Sequence, residues 1–407
     1  MDLFVLLVFI AVYVGMMLGR FPGLALDRTG AALLGAVILM AGNRLTSEQA
    51  WVAIDVPTIG LLLGLMIVSA QFRLAGVYDF MTLRLAQAPL SPVNLLGLLI
   101  FAAGGLSALL ANDIVCLAMP PILIHCCHRR NLNPLPYLLG LACASNVGSA
   151  ATLIGNPQNM LIGQKLGVSF SGYLLDALVP TLLGLLATWG IFAWHYRGKW
   201  VMQAPVELQE AGVELQPVRP WHATKATVIL LALVGCFLFT DWPREVMALT
   251  AGGLILLSRN TTTHKYLDLV DWQLLVLFIS LFIVNHTLEH AGWLNAMMTT
   301  LHDAGVNLSH PATLFGVTAV LSNLVSNVPA VMLLLPAADG PLAPAILALS
   351  STLAGNFILV GSIANLIVVG QAQKMNVRIT LWQHARTGIP VTLATLALAA
   401  VWLWIRR

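Results

Sequence analysis

Four short stretches of this 407-residue chain put amide and hydroxyl side chains into apolar surroundings. They read Ala111-Asn112-Asp113, Gly155-Asn156-Pro157-Gln158-Asn159, Ser326-Asn327-Val328-Pro329 and Gly361-Ser362-Ile363-Ala364-Asn365. Asn146 and Asn356 lie shortly before the second and fourth stretches and join them as candidates. Such residues offer neutral hydrogen bonds, and the prolines and glycines among them break helices, which leaves backbone N–H groups free. Free N–H groups at the positive end of a helix dipole bind anions, and opposing carbonyl ends hold cations. The chemistry expected is therefore binding, not bond making. Asp113 is the one titratable side chain in the set and a candidate for carrying a coupling proton; a cation ligand or a neutral cap are its alternatives. No Lys or Arg falls within the four stretches.

The elements that carry these stretches are built for lipid. The chain is 58% hydrophobic and 9% charged, with a mean hydropathy of +0.86, against about 25% charged residues in a soluble domain. It is a polytopic membrane protein. The net charge of +3 is spread thinly over loops and says nothing of nucleic acid, and no nucleic-acid partner is expected. Cys116, Cys126, Cys127, Cys143 and Cys236 fall within or at the ends of apolar segments, the pattern of reduced buried thiols. The N-terminus carries Asp2 in place of a positive n-region and no small-residue cleavage site, so it is expected to remain as a first helix.

With about 20 apolar residues needed per span, ten spans are predicted: 2–19, 27–43, 57–73, 134–163, 173–195, 223–240, 245–258, 272–289, 341–371 and 380–404. Trp51, Trp200, Trp242, Trp272 and Trp382 sit at segment ends, as in an interfacial aromatic belt. With the N-terminus outside, fifteen Lys and Arg fall inside and five outside, so both termini are expected outside.

The two halves repeat. Asp55 answers Asp271 and Leu74–Met81 answers His290–Met297 at an offset of 216. Leu109–Pro121 answers Leu324–Pro336 at 215, Gly155–Asn159 answers Gly361–Asn365 at 206, and Pro180 answers Pro390 at 210. Five spans per half, an odd number, force the copies to cross the membrane in opposite senses. Inverted repeats mark secondary transporters, with the binding site near the midplane between copies. The expected organisation is a first repeat over 1–195, a cytoplasmic linker over 196–222 containing a heptad-spaced VELQEAGVELQ, and a second repeat over 223–407.

Two further apolar stretches, 92–127 and 311–337, are expected to be re-entrant hairpins tipped by Asn112 and Asn327. After Asn327 about ten residues remain before Pro336, or roughly 15 Å of helix, too short for a core of about 30 Å. By symmetry 92–127 does the same, although its length also suits two full spans. Asn and Ser at the tips suit N-caps, and Pro329 suits a first helical turn. The stretches 134–163 and 341–371 are read as helices broken at midplane, where irregular backbone is tolerated only when it lines a protein-buried or aqueous cavity.

Each feature has a blander reading. A single polar break is as readily a kink held by neighbours; its recurrence with Gly and Asn at one spacing favours binding. Asn285, His286 and Glu289 share a helical face near a span end and read as an interfacial polar cluster. His125-Cys126-Cys127-His128 has metal-ligating residue types but ends a hairpin arm beside Arg129 and Arg130, so no metal site is expected. Neither a GxGD nor a GxSG motif appears, and an intramembrane enzyme is disfavoured. A channel is disfavoured by a caged midplane site. No cofactor is expected.

At these motifs the chain resembles the ion transporter superfamily: arsenite/antimonite efflux permeases, NhaD-type sodium/proton antiporters, and divalent anion:sodium symporters for citrate and dicarboxylates. The resemblance covers nearly the whole chain. SNVGSAATLIGNPQN looks like the permease/antiporter branch, and LLANDIV followed by a proline-ended apolar arm looks like the efflux permeases. In the dicarboxylate symporters both tips read Ser-Asn-Thr. Here Ser326-Asn327 keeps two of those residues and Ala111-Asn112-Asp113 only the Asn, a departure that argues against dicarboxylates. The resemblance implies substrate or ion contact at Asn112 and Asn327, one subsite at Gly155, Asn156 and Asn159, and its mirror at Gly361, Ser362 and Asn365. It also implies an elevator mechanism, with 74–87 and 290–303 as connecting arms, and a homodimer. The expectation is a multi-pass carrier of the bacterial inner membrane that moves a small inorganic anion or oxyacid, with proton-coupled arsenite/antimonite efflux leading. A sodium-coupled anion symporter and a sodium/proton antiporter are the alternatives, so the coupling ion is a proton or sodium.

Overall fold

A computed structural model describes residues 2–19, 25–202, 217–258 and 261–406. The heptad-spaced stretch 206–216, and Arg20, Arg259 and Arg407 of the charge count, lie outside the described residues.

The first half contributes α1 (Leu3–Leu18), α2 (Arg28–Ala41), α3 (Ser47–Ala53), α4 (Val56–Leu74), α5 (Val77–Gln87), α6 (Pro92–Leu109), α7 (Asn112–Arg129), α8 (Pro134–Ser149), α9 (Pro157–Lys165) and α10 (Phe170–His195). The second half contributes α11 (Pro220–Phe239), α12 (Arg244–Leu256), α13 (Thr263–Leu267), α14 (Trp272–His290), α15 (Trp293–Asp303), α16 (Pro311–Val325), α17 (Asn327–Leu334), α18 (Ala343–Ala354), α19 (Ile363–Lys374) and α20 (Leu381–Ile405). Short 3-10 turns follow α17 and precede α19. The short helices α3 and α13 were not expected from apolar periodicity, being five to seven residues long at the ends of polar connections.

Helix starts follow from local chemistry. Asp55 and Asp271 cap α4 and α14, accepting from Thr58 N at 3.0 Å and Leu274 N at 2.9 Å. Thr46 and Thr380 form capping boxes with Gln49 and Gln383. Proline opens α6, α8, α9, α11 and α16, where its missing N–H costs nothing.

Among the described residues, six helices are long and apolar enough to cross a membrane: α4, α6, α10, α11, α14 and α20. Helices α1, α2, α16, α18 and the stretch from Asn327 to Ala337 are apolar but shorter. The expected spans 134–163 and 341–371 each divide into two helices, with irregular backbone between Ser149 and Pro157 and between Ala354 and Ile363. α6, expected as a hairpin arm, is 18 residues long, as long as a span.

Two packed groups emerge. In the first, α4 lies along α12 and α2 along α14, joined by α1 and α11. A Cβ on Gly64 would sit 2.4 Å from the Ala248 carbonyl carbon, so only glycine allows these two backbones so close. In the second, α6 packs on α8, α16 on α18, and α10 on α20. The last pair runs antiparallel, because Asp176 near the start of α10 pairs with Arg406 after the end of α20 at 2.8 Å. The connection between halves is pinned at both described ends: Asn133 N donates to Trp200 O, and Arg219 N to Ala75 O.

Candidate functional site

The two helix breaks meet. Asn156 is the N-cap of α9, and its side chain accepts from Asn159 N at 2.9 Å. Pro157 follows at the first helical position and holds Asn156 in extended geometry. The Asn156 amide nitrogen then donates to Ser149 Oγ at 3.0 Å and to Thr352 Oγ1 at 3.2 Å. Gln158 Nε2 reaches the same hydroxyl at 3.1 Å. Asn159 Nδ2 donates to Thr152 O and Tyr173 Oη, at 3.0 and 3.1 Å.

From the other side, Asn146 Nδ2 donates to Asn356 Oδ1 at 2.8 Å and to Asn365 Oδ1 at 3.1 Å. Its own Oδ1 accepts from Ser362 Oγ at 2.9 Å. Asn365 Nδ2 donates to Gly355 O at 2.9 Å, and Asn356 Nδ2 to Cys143 O at 3.2 Å. His384 supports this layer from below through Nε2 and Asn356 O, 3.0 Å apart. Asn146, Asn156, Gln158, Asn159, Thr352, Asn356, Ser362 and Asn365 are all buried. They are neutral and satisfy one another across the two halves, which is what a buried polar network requires.

The glycines of the breaks permit close approach. A Cβ on Gly155 would lie 2.2 Å from Ser149 O; one on Gly361 would lie 2.9 Å from Asn323 Oδ1 and 3.2 Å from Gly355 O.

The hairpin tips reach this network unequally. Asn327, oriented to satisfy its neighbours, donates to Ser351 O at 3.3 Å and Gly361 O at 3.2 Å and accepts from Gln158 Nε2 at 3.3 Å. It therefore ties both breaks together. Asn112 is connected through its backbone oxygen, which accepts from Ser145 Oγ at 3.3 Å, while its buried Oδ1 has no partner among the described residues. The tips were expected to cap their helices with Asn or Ser: Ser326 does hold the cap position of α17, whereas Ala111 holds that of α7, Asn112 and Asn327 are the first helical residues, and neither cap residue makes a side-chain cap bond. Ser326 instead adopts φ +79°, a conformation that costs a non-glycine residue roughly 1–3 kcal/mol. Asp113 stands apart from the network, half-buried and within electrostatic range of Asp271.

Residues outside the four stretches contribute as much as those within them. Thr352 and Ser149 join the breaks, with Gln158 of the second stretch donating to the same Thr352 hydroxyl, and Ser107–Ser145 and Ser322–Ser351 brace the tips. Arg28 reaches Val360 O at 3.3 Å, so a cation does border the second break. Its signal lay in the repeat: Arg28 and Arg244 are 216 positions apart, the offset of Asp55 and Asp271. The cluster Asn285, His286 and Glu289 lines a separate cavity of about 310 Å³ with Lys165 and Met332.

Known proteins resemble this chain over most of its length. The chain is similar to the silicon efflux transporter LSI3 of Oryza sativa, 28% identical over 457 residues that cover 93% of this chain and 92% of that one. It is similar to the inner membrane protein YbiR of Escherichia coli, 29% identical, covering 85% and 87% of the two chains. Its fold matches the YdaH transporter of Alcanivorax borkumensis at a TM-score of 0.58 with 14% identity, covering 99% and 97% of the chains. MtrF of Neisseria gonorrhoeae, described among antimetabolite efflux pumps, matches at 0.58 with 12% identity, covering 99% and 95%. The family model described as a citrate transporter, CitMHS, matches residues 4–346. The protein is thus a multi-pass membrane transporter, and the chain belongs to the CitMHS citrate transporter family.

Proposed function

We propose that this protein is an ion-coupled secondary transporter of a small oxyacid that is uncharged or weakly charged at neutral pH, of the arsenious, antimonous or silicic acid type. The observation that carries this reading is the neutral network joining the breaks through Asn146, Asn156, Thr352, Asn356, Ser362 and Asn365. Amides and hydroxyls both donate and accept, and so does each hydroxyl of such an acid. The relative named a silicon efflux transporter supports the same class, and YbiR supports a bacterial inner membrane.

The mechanism we propose is an elevator built from inverted repeats, with both termini outside. Helices α6 to α10 and α16 to α20 move with the site against a scaffold of α1 to α4 and α11 to α14. The two tips are re-entrant. In support, the tip at Leu110–Ala111 lies level with the break: Thr152 Oγ1 donates to Ala108 O at 2.5 Å, and Ser145 Oγ to Asn112 O. Beyond that level α9 continues for nine residues, about 14 Å of further helix. The coupling ion is a proton carried at Asp113.

A second reading, sodium-coupled citrate or dicarboxylate symport, draws on the family and on the dipoles of α9 and α19, whose N-termini meet at the network. Proteoliposome flux decides between them. Arsenite, silicate, citrate, succinate, sulfate and phosphate are each supplied with an imposed proton or sodium gradient. The first reading expects proton-driven arsenite or silicate flux; sodium-driven citrate flux with none of arsenite or silicate overturns it.

A further inference from the structure

Arg244 opens α12 and Arg28 opens α2. Each of these helices lies beside a 19-residue helix capped by an aspartate, α12 beside α4 with Asp55 and α2 beside α14 with Asp271. The α4–α12 pair runs parallel, since Gly60 meets Leu249, Gly64 meets Ala248 and Gly252 meets Ile67. Arg244, Glu245 and Asp55 therefore share one end, and together they hold the C-terminal end of α9. Arg244 Nη1 donates to Gly163 O at 3.1 Å, and Nη2 donates to Val168 O. Glu245 Oε2 accepts from Gln164 Nε2 at 3.1 Å. Asp55 Oδ2 pairs with Lys165 Nζ at 2.6 Å, and the aspartate side chain is 8% exposed.

The C-terminal end of α19 is built to the same plan. Gln373-Lys374-Met375-Asn376-Val377 answers Gln164-Lys165-Leu166-Gly167-Val168. Each turn closes with the same backbone bond, Val168 N to Gly163 O at 3.2 Å and Val377 N to Ala372 O at 2.9 Å. Each passes through a left-handed residue, Gly167 at φ +59° and Asn376 at φ +60°. Yet α2 and α14 do not hold this end. Arg28 reaches Val360 O, before the opposite end of α19, and Thr29 donates to Gln273 O inside the scaffold. Asp271, Gln373 and Lys374 are exposed. One grip is closed, and the matching parts of the other stand apart.

We propose that the two grips alternate, so that the opposite transport state pairs Asp271 with Lys374 and moves Arg28 onto the carbonyls of Ala372 and Val377. In the same step Lys165 leaves Asp55, and Arg244 leaves Gly163. The inference rests on the elevator reading above. It deepens that reading by naming the contacts that latch each end state. Trading one ion pair and one arginine–carbonyl set for an equivalent set keeps the end states close in energy, as a carrier needs to populate both. It also sets the stroke: moving Arg28 from Val360 to Ala372 passes α19 from its start at Ile363 as far as Ala372, about 15 Å of helix at 1.5 Å per residue.

Disulfide trapping tests the exchange. Cys236→Ser removes the half-buried native thiol, and the remaining four cysteines are buried. Two double variants are oxidised with copper phenanthroline in proteoliposomes: Asp55→Cys with Lys165→Cys, and Asp271→Cys with Lys374→Cys. Both pairs are expected to cross-link, and adding Lys165→Gln to the second should raise its yield several-fold by releasing the closed latch. If the second pair never exceeds single-cysteine controls, with or without Lys165→Gln, the alternating grip is overturned while the elevator stands. If the locked 55/165 protein exchanges arsenite, silicate and citrate at its unlocked rates, the elevator reading itself fails. Circular dichroism and gel-filtration profiles matching the parent exclude misfolding as the cause of a missing cross-link.

Discussion

Asn156 donates to Thr352 Oγ1 at 3.2 Å, and Ser362 donates to Asn146 Oδ1 at 2.9 Å. The second contact is the first with its partners exchanged between halves: Ser362 stands 206 positions after Asn156, and Thr352 stands 206 positions after Asn146. The same offset converts Thr352 to Asn159 into Asn146 to Asn365, and Ser149 O to Asn159 into Gly355 O to Asn365. These contacts support a single two-fold site assembled by two copies of one unit, with neither half sufficient alone.

Asn146 holds three partners, Asn356, Asn365 and Ser362. Asn146→Ala leaves all three buried groups short of a bond, at about 1–3 kcal/mol each before relaxation. The expected result is a lower unfolding temperature and at least a tenfold loss of flux. Thr352→Val should act in the same direction, because Asn156 and Gln158 both donate to that hydroxyl. Differential scanning fluorimetry and proteoliposome flux check both effects, and unchanged values for either variant would remove that residue from the network.

The glycines of the two breaks should not tolerate alanine equally. At Gly155 the nearest atom to an added Cβ is the backbone oxygen of Ser149 at 2.2 Å, whereas at Gly361 it is the side-chain oxygen of Asn323 at 2.9 Å. A backbone cannot swing aside as a side chain can. Gly155→Ala is expected to abolish folding or transport, and Gly361→Ala to reduce transport partially. The reverse order in expression and flux assays would contradict the close packing described at Gly155.

Ser326 is held at φ +79° at the start of α17 without a side-chain cap bond. Ser326→Gly removes the Cβ that opposes this conformation and should raise the unfolding temperature by an amount matching about 1 kcal/mol. A fall in unfolding temperature would mean that the hydroxyl contributes more than the strain it accompanies.

Asp113 is proposed to carry the coupling proton. Asp113→Asn keeps shape and polarity but cannot titrate, so flux in this variant is expected to lose its response to an imposed pH gradient while passive substrate exchange persists. A gradient response equal to wild type would remove Asp113 from coupling.

Much of this arrangement was legible in the residues, and the illegible part has a common cause. Both helix breaks were readable because Gly and Asn recur there at one spacing in both halves; proline alone would not have decided it, since Pro180 and Pro390 lie inside continuous helices. The Asn146, Asn156 and Asn365 amides were readable because such groups are costly in apolar segments unless partnered. Thr352, Ser149 and Ser322 were not, since a hydroxyl in a membrane helix can bond to its own backbone, as Ser350 and Ser351 do with Ile346 O and Leu347 O. At the first tip Asn112 was misread as a cap, because residue preference cannot separate the cap from the first helical position, one residue away. Arg28 was passed over because its place beside Val360 depends on how α2 packs, and no local pattern records that.

The most direct test of the neutral two-fold site is the concentration dependence of proton-driven arsenite and silicate uptake into proteoliposomes, compared between wild type, Asn146→Ala and Asn365→Ala. Saturable uptake by the wild type is expected, with both variants losing it at least tenfold while their circular dichroism spectra stay unchanged. Uptake by both variants with the wild-type KM and rate, or wild-type flux that neither saturates nor responds to an ion gradient, would contradict the account.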